Sequence, residues 1–519
     1  MRKWHLLPAV MAFLMLAFVG CAKSDNGNSA DEGASRDAVK SEAAAHYQSG
    51  LDKQAQGDAD GALLEYRAAF ALIDGNEPAE TIKADFPFVY DAGMRLAEIL
   101  CPFEKSRWGK KCYQQPGWSF PYEKYVEASN ALLIADKVNP VEGKAYLMIG
   151  KLSLAYGDYN SAYFFLRKHS ERDPGDSWCR LYMADIECIN AMQGKPEDRE
   201  RWQRFANSRF IEVIDAMPNE PAAYYSRALF FEYLGNTKEA LNDLDQALKI
   251  DPNFFAAKLD KALALNAEGL TDESVRLLNE CVQLDPTASE PHYRLAYMYY
   301  SKASKSGYAS ANGEIDKAIA LDSNNSDYWS LKGQILDDST GRDIIGSVFQ
   351  AGKMPEGAPP KVNAITTAAI EAYTKAIALH PDEPNLYYRR GIAYIKLVDK
   401  VNAKSDLQRA IELGRPDDPN TFRYAMSIAF IFFAEENHKE NIRYCEIMFE
   451  SYVYARKLIA VANHKIRTLD SPLPTTQAQI DQDFGCMVMF WGQSCDKLKD
   501  PELTARRNKL LELVAISAK

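Results

Sequence analysis

A pattern of small residues, turn residues and a closing proline recurs every 34 residues along this chain of 519 residues. It is clearest in three of its occurrences: Gly150, Gly157, Ala162 and Pro174; Ala228, Gly235, Ala240 and Pro252; and Ala262, Gly269, Leu278 and Pro286. A period of this length is typical of stacked helical hairpins, each of which packs only on its neighbours. The pattern therefore predicts an all-α protein built as an α-solenoid.

Aligning the repeated positions of this pattern divides most of the chain into nine hairpin units. They span 43–76, 86–142, 143–176, 177–220, 221–254, 255–288, 289–325, 326–383 and 384–417. Four units exceed 34 residues, by 23, 10, 3 and 24. We expect the excess to lie between the two helices of those hairpins, because a loop can grow there without disturbing the stack.

Small residues recur where the two helices of a hairpin must approach each other. Gly333 and Gly391 hold this position on first helices, and Ala369 and Ala403 hold it on second helices. A larger side chain would separate the helices, so these positions predict close helix packing.

This pattern of small residues, turn residues and prolines resembles the consensus of the tetratricopeptide repeat family over residues 42–417, nearly three quarters of the chain. The resemblance implies a superhelix of about nine repeats whose first helices line a concave groove. It also implies a scaffold or adaptor that binds protein or peptide segments and is not an enzyme. The groove positions of the family correspond here to Tyr225, Tyr233, Tyr293, Tyr297, Tyr300 and Tyr388.

Three of these groove positions form one stripe on a helix, because Tyr293, Tyr297 and Tyr300 are spaced four and three residues apart. This stripe either lines the groove or packs as core between units.

Some members of the family clamp a terminal carboxylate with lysine and asparagine. The corresponding positions here hold tyrosine and leucine, including Tyr225 and Leu229, so that clamp is absent.

The chain changes character after the last repeat. Residues 418–519 are predicted to form a helical cap, because a solenoid needs an atypical terminal unit to cover its last apolar face. Two aromatic helices are expected over 421–464, and two more over 476–491 and 501–517. The apolar run 487–491 is expected to pack back or to form an interface.

The N-terminus is predicted to be a targeting segment. Residues 1–20 carry an early Arg-Lys pair and an apolar run, and the run from Phe18 to Cys21 resembles a bacterial lipobox. Cys21 is the expected lipidation site, and residues 21–41 are expected to form a flexible tether. The alternative is an ordinary secretory signal. The lipobox implies a lipid-anchored protein of the bacterial envelope, in the outer membrane and facing the periplasm.

Charge and motifs exclude several functions. The net charge is −11 over the whole chain, which argues against nucleic acid as a partner, so membrane association would rest on an acylated Cys21. The sequence has no nucleotide-binding loop, no zinc-protease motif and no hydrolase elbow. We therefore expect no cofactor, no metal site and no catalytic residues.

Two alternatives remain open at this stage. Aromatic residues in the insertions at 101–120 and 338–366, above all Trp108 and Trp118, could capture a glycan or another small ligand. Alternatively, an unrecognised enzymatic site could lie in an insertion or in the C-terminal 100 residues. Separately, the cysteine pairs Cys101–Cys112 and Cys486–Cys495 each flank a short segment, and an oxidising envelope would permit these disulfides.

Overall fold

The computed structural model describes residues 29–101, 122–140, 143–340, 360–414, 420–462, 488 and 491–517. Within these ranges the regular elements are helices and no strand occurs, which confirms the predicted all-α class. The helices pack in adjacent pairs, as in an α-solenoid, and they form two compact units, residues 1–254 and 255–519.

The described helices of the first unit follow the predicted register. They are α1 (Ser29–Ala55), α2 (Ala59–Ala71), α3 (Ala79–Asp85), α4 (Val89–Leu100), α5 (Tyr122–Val138), α6 (Lys144–Tyr156), α7 (Tyr159–Arg172), α8 (Ser177–Gln193), α9 (Arg199–Ala216), α10 (Pro221–Leu234) and α11 (Thr237–Ile250). A single 3-10 turn, Pro196–Asp198, joins α8 to α9.

The second unit continues the same alternation. Its helices are α12 (Phe255–Ala267), α13 (Thr271–Leu284), α14 (Ser289–Ser301), α15 (Lys305–Leu321), α16 (Ser326–Ser339), α17 (Pro360–Leu379), α18 (Pro384–Lys396), α19 (Lys400–Leu413), α20 (Thr421–Ala434), α21 (His438–Ala462) and α22 (Pro501–Ser517). Each second helix from α13 to α19 packs on its own first helix, and α15, α17 and α19 also pack on the first helix that follows.

Local chemistry explains where many of these helices begin and end. The second helices α2, α7 and α19 each begin after an aspartate whose side chain accepts a hydrogen bond from a main-chain N–H of the first turn, at Asp58, Asp158 and Asp399. The first helices α6 and α10 end at Gly157 and Gly235, which adopt φ values of 90° and 76°. Glycine is favoured there because a Cβ atom is strained in the left-handed region.

Small residues set the distance between the helices of a hairpin, as predicted. A Cβ atom added to Gly333 would lie 2.5 Å from Cε1 of Tyr373, whose side chain is fully buried in α17. A Cβ atom on Gly150 would lie 2.6 Å from Cγ of Leu166 in the same way. These glycines are therefore required by the close approach of a facing side chain.

Buried ion pairs also join the two helices of some hairpins. Arg227 Nε and Nη2 donate to the Asp243 carboxylate at 2.7 and 2.8 Å, and Arg390 makes the same pair of bonds to Asp406. Both aspartates are buried, and both pairs span 16 residues, so the repeat preserves the geometry. Bidentate pairing compensates each carboxylate for its lost hydration.

The prediction that the extra residues of the four long units lie between the two helices of each hairpin is only partly correct. In the units 86–142 and 326–383 the excess does fall between the two helices. In the unit 177–220, by contrast, α8 and α9 are themselves 17 and 18 residues long, and only a short turn joins them. In the unit 289–325 the extra residues lengthen α15 to 17 residues. The extended end of α8 is packed, because Ile189 and Ala191 are buried and the Ala191 carbonyl accepts a hydrogen bond from Tyr233 of the next unit.

The expected flexible tether is wrong for residues 29–41, which belong to α1. The short helix α3, which the repeat pattern did not predict, packs beside this extension. Arg36 and Lys40 of α1 both pair with Asp85 of α3, and the buried Ala43 contributes to a cluster with Ile82. These contacts give the polar N-terminal turns of α1 a surface on which to stay helical. Cys21 lies outside the described residues.

The C-terminal segment caps the second unit by extending its core. The buried side chains of α20, including Phe422 and Phe430, share one cluster with Leu407 of the last repeat. Trp491 is 1% exposed and packs against Phe449, so this part of the apolar run 487–491 packs back as predicted. Residues 491–498 are helical, whereas residues 476–487 of the expected helix 476–491 lie outside the described ranges.

Among the described residues, no helix combines the length and the apolar composition that crossing a membrane would require.

Two glycine substitutions test the packing constraint. Gly333→Ala should lower the free energy of unfolding by about 1–3 kcal/mol, because the new methyl group collides with the buried Tyr373 ring. Gly313→Ala is the matched control: nothing lies within 4 Å of its added Cβ, and alanine should raise helix stability by about 0.5–1 kcal/mol. Urea unfolding of the full chain, followed by circular dichroism, measures both; equal effects of the two substitutions would contradict the constraint.

Candidate functional site

The tyrosine stripe on α14 is the core of the candidate site, and its three side chains are all half-buried. Tyr293 packs against Tyr328 of α16 with ring centroids 5.0 Å apart. Tyr297, one turn further along, packs partly against the same apolar cluster. Its hydroxyl has no hydrogen-bond partner among the described residues. Each of the three tyrosines is thus partly packed and partly accessible, and the groove role stays a prediction.

Polar side chains on the following two first helices continue this face. The Tyr300 hydroxyl donates to the Asp338 carboxylate, which joins α14 to α16. Lys396 of α18 lies 2.8 Å from Asp337 Oδ1 and donates to the Asp337 main-chain oxygen at 3.2 Å, which joins α18 to α16. Three successive first helices are therefore linked through their C-terminal turns.

The electrostatics of this face reflect burial. Burial, together with the Asp338 carboxylate, raises the pKa of the Tyr300 hydroxyl, so it remains a proton donor at neutral pH. Burial also raises the pKa of the Asp337 carboxyl above its ordinary value, although the Lys396 ammonium opposes that shift. At the far end of the face, half-buried Tyr388 packs against Tyr424 of the cap at 5.0 Å.

The predicted groove tyrosines of the first unit behave differently. Tyr225 does not fit the expectation of a contact residue, because only 1% of it is exposed and its ring packs edge-on against Phe254. Tyr233 is half-buried, and its hydroxyl donates to the Ala191 carbonyl at 2.8 Å. Both tyrosines are engaged in packing or internal hydrogen bonds.

At the N-terminal end of the first unit, the polar side chains are likewise hydrogen-bonded to one another. Asp91 accepts hydrogen bonds from the Tyr47 hydroxyl at 2.6 Å and from Arg95 Nε at 2.5 Å. Gln54 Oε1 accepts from Arg95 and from Tyr66. Burial and then the Asp91 carboxylate raise the pKa of Tyr47 to about 12. Every member of this network has a partner, so it needs no ligand.

Several predicted sites lie wholly or partly outside the described residues. Trp108 and Trp118, which carry the glycan alternative, fall in the undescribed range 102–121. Cys101 and Cys495 are buried with free thiols, and burial raises the pKa of Cys101 to about 12. Their candidate partners Cys112 and Cys486 are not described, and both disulfides stay predictions.

A histidine between two carboxylates is the densest cluster of metal-ligand types among the described residues. His169 Nδ1 lies 3.0 Å from the Gly143 carbonyl oxygen, and its Nε2 lies 2.9 Å from Asp176 Oδ2. Asp176 Oδ1 accepts from the Trp178 N–H, and Asp173 Oδ1 accepts from the Gly175 N–H. Because a carbonyl only accepts, Nδ1 carries a proton, and hydrogen bonds within the chain account for this arrangement without a metal.

Sequence reasoning missed four residues of importance: His169, Asp338, Tyr373 and Arg389. His169 and Asp176 stand seven residues apart across a helix end, a spacing that carries no known signature. Asp338 accepts a hydrogen bond from Tyr300, and the charges of Arg389 and Asp338 act on the pKa of buried Tyr373. Only Asp338 occupies a groove position of the repeat, and the others could not be found from that rule.

Comparison with known protein families supports the repeat assignment. The model described as "Tetratricopeptide repeat" matches residues 221–254, and the model described as "TPR repeat" matches residues 366–398. No curated protein matches the sequence.

Solved structures of related architecture are similar to parts of the chain. MamA from Desulfovibrio magneticus RS-1 is 18% identical, with 37% of this chain and 94% of that chain covered and a TM-score of 0.30. The C-terminal part of a TPR repeat-containing protein from Cytophaga hutchinsonii is 14% identical, covering 56% and 98%, with a TM-score of 0.38. YrrB, described as a TPR protein with an unusual peptide-binding site, is 14% identical, covering 41% and 96%, with a TM-score of 0.31. None of these similarities specifies a partner for this chain.

The His169 cluster makes stability depend on pH. The hydrogen bond to Asp176 raises the pKa of His169 above 6.5, outweighing burial. Its stabilisation is therefore fully present below about pH 6.5 and is lost as the pH rises through the folded-state pKa. For Asp176, burial raises the pKa, but the bonds from His169 and from main-chain N–H groups outweigh it and the net pKa is lowered. Its contribution is lost only in acid, as the pH falls from about 4 through its folded-state value.

His169→Asn should therefore lower stability most near pH 5–6, by about 1.5–3 kcal/mol, with a smaller difference above neutrality. Urea unfolding at a series of pH values measures this difference. His380→Asn, at an exposed histidine, is the control and should have no effect at any pH. A difference that stays constant across the range would contradict a charged His169.

Proposed function

Because this chain is a tetratricopeptide repeat protein, we propose that it is an adaptor that holds protein or peptide segments against the first helices of its second unit. The supporting observation is the face formed by α14, α16 and α18. Half-buried Tyr293, Tyr297, Tyr300 and Tyr388 offer large rigid contact areas there, beside the carboxylates and ammonium group of the adjacent turns. Tyrosine suits such a role because it loses little conformational entropy on binding and can still donate a hydrogen bond.

The first unit offers fewer accessible contact residues, which supports placing the binding face in the second unit. Its predicted contact tyrosine Tyr225 is buried, and its N-terminal polar network is internally satisfied. The second unit, by contrast, keeps four half-buried groove tyrosines on its first helices. The aromatic stripe would bind the apolar side chains of a segment, and the polar turns would orient it.

We also propose that the adaptor is a lipoprotein of the bacterial envelope, anchored in the outer membrane and facing the periplasm. The support is the apolar run followed by Phe18-Val19-Gly20-Cys21. Two or more acyl chains on Cys21 would be needed for stable anchoring, since a single chain binds membranes only marginally. An adaptor held in this way would recruit its partner to the membrane surface.

Peptide selection tests the adaptor role. A displayed library of random 12-residue peptides is selected on the full chain purified in detergent, and enriched peptides are remeasured by fluorescence anisotropy. Tyr297→Ala should weaken binding by about tenfold or more, or about 1.4 kcal/mol, because it removes an accessible aromatic contact.

Tyr299→Ala is the control on the same helix, since its side chain points about 200° away from that of Tyr297. It should change the affinity less than about twofold. If no peptide is enriched, or if both substitutions act equally, the second-unit face is not a peptide groove.

Metabolic labelling tests the anchor. In a Gram-negative host given labelled palmitate, the wild-type chain should incorporate the label and sediment with outer membranes. Cys21→Ser should abolish both, because the acylated thiol is lost, whereas Cys101→Ser should keep both. Equal labelling of the Cys21→Ser chain would exclude lipidation at this residue.

A further inference from the structure

His169 of α7 occupies a packing position that small residues hold in other repeats. It stands four residues before Asp173, which caps the end of α7, and its main-chain oxygen accepts the capping hydrogen bond. The residues that do the same in α11, α13 and α15 are Ala247, Cys281 and Ala318, and all of them are buried. An imidazole at this position brings two polar nitrogen atoms into the core, and both need partners there.

The orientation of the imidazole is fixed from one side by the start of α6. The Gly143 carbonyl oxygen lies 3.0 Å from His169 Nδ1, so Nδ1 carries a proton and donates it. A Cβ atom on Gly143 would itself lie 3.0 Å from Nδ1, so a glycine is what lets the backbone approach the ring. Metal-binding histidines commonly donate from one ring nitrogen to a carbonyl in this way, which directs the lone pair of the other nitrogen at the ion.

The other ring nitrogen faces carboxylates. His169 Nε2 lies 2.9 Å from Asp176 Oδ2, and the ligand atoms of His169, Asp173 and Asp176 all lie within 4.8 Å of one another. With protons on both ring nitrogens, a hydrogen bond accounts for this contact. In the neutral ring, whose one proton is on Nδ1, the lone pair of Nε2 points at a carboxylate oxygen. That contact is favourable only when a cation lies between the two atoms.

Main-chain N–H groups hold the two carboxylates in place and occupy one oxygen of each. Asp176 Oδ1 accepts from the N–H groups of Trp178 and Cys179 at 2.9 and 3.1 Å. Asp173 Oδ1 accepts from the Gly175 N–H at 3.1 Å. The second oxygen of each aspartate is therefore available to an ion, and Asp173 is exposed, so its side chain is free to turn toward one.

The charge of this cluster favours a divalent ion. Neither aspartate forms an ion pair with a lysine or arginine among the residues that the structure describes, and Asp176 pairs only with His169. The neighbouring Arg172 is engaged by Asp136. A proton on Nε2 balances one of the two carboxylates, whereas a dication bound to the neutral ring balances both.

We propose that His169, Asp173 and Asp176 bind a divalent metal ion of the zinc class, through one ring nitrogen and one oxygen of each aspartate. Nitrogen and carboxylate ligands suit Zn²⁺, which binds both at about 2.0–2.2 Å. Mg²⁺ and Ca²⁺ fit less well because they prefer oxygen alone. Three protein ligands leave the fourth tetrahedral position to water.

The ion acts on the joint between two hairpins. Its ligands come from the end of α7 and from Asp176, which caps the start of α8, while Gly143 at the start of α6 orients the ring. Metal binding therefore ties the hairpin 143–176 to the hairpin 177–220. The site goes beyond the proposed adaptor role and does not depend on peptide binding.

Zinc titration tests the site. The full chain, purified in detergent, stripped with EDTA and dialysed into slightly alkaline buffer, is titrated with Zn²⁺ in a calorimeter. Asp173→Asn should weaken binding about tenfold or more, because it removes a charged ligand, and loss of even an outer partner of a metal costs about 10–100-fold. Asp251→Asn is the matched control. Asp251 caps α11 and accepts from the Asn253 N–H, but Ala247 stands in place of the histidine, so zinc binding should be unchanged.

Melting temperatures separate metal binding from a merely structural role. In EDTA the wild-type, Asp173→Asn and Asp251→Asn chains should melt at nearly the same temperature, because asparagine keeps the hydrogen bond of either turn. Zn²⁺ should raise the melting temperature of the wild-type and Asp251→Asn chains but not of the Asp173→Asn chain, and Mg²⁺ should not replace it. An equal zinc-induced rise in all three chains, or no rise in any, would overturn the proposal.

Discussion

The close approach of two helices at a small residue is the constraint on which the rest of this structure depends. Where Gly333 faces Tyr373, the absence of a Cβ atom lets an aromatic ring lie directly on the helix backbone. The ring is fully buried there, and its hydroxyl comes to rest inside the hairpin rather than at its surface. The close approach of the two helices and the complete burial of this aromatic ring therefore depend on the same contact.

Both units contain buried polar atoms that have no hydrogen-bond partner among the described residues, so these atoms do not distinguish one unit from the other. They include Arg180 Nε and Ser226 Oγ in the first unit and Gln334 Oε1 and Arg389 Nε in the second. The proposed binding face rests instead on the half-buried tyrosines of the second unit, Tyr293, Tyr297, Tyr300 and Tyr388.

Much of the fold could be predicted from the sequence, whereas less of the site could. The helix pairs, the capping aspartates and the glycine turns follow from local geometry that repeats every 34 residues. Side-chain accessibility does not repeat with it. Tyr225 and Tyr293 each stand three residues before a small packing residue, yet Tyr225 is 1% exposed and Tyr293 is half-buried. Their neighbours Phe254 and Tyr328 make the difference, and a repeat consensus does not specify such neighbours.

The sequence by itself determined the class of fold, the register of the hairpins and the positions at which helices must touch, because each of these depends on residues within one repeat. Only the tertiary structure decided which polar groups would find partners. Arg36 pairs with Asp85 across 49 residues, in a segment where a flexible tether was expected. Of the adjacent pair Arg389 and Arg390, one is bonded and the other is not. These outcomes depend on which side chains from other helices reach the same space, and periodicity along the chain does not encode that.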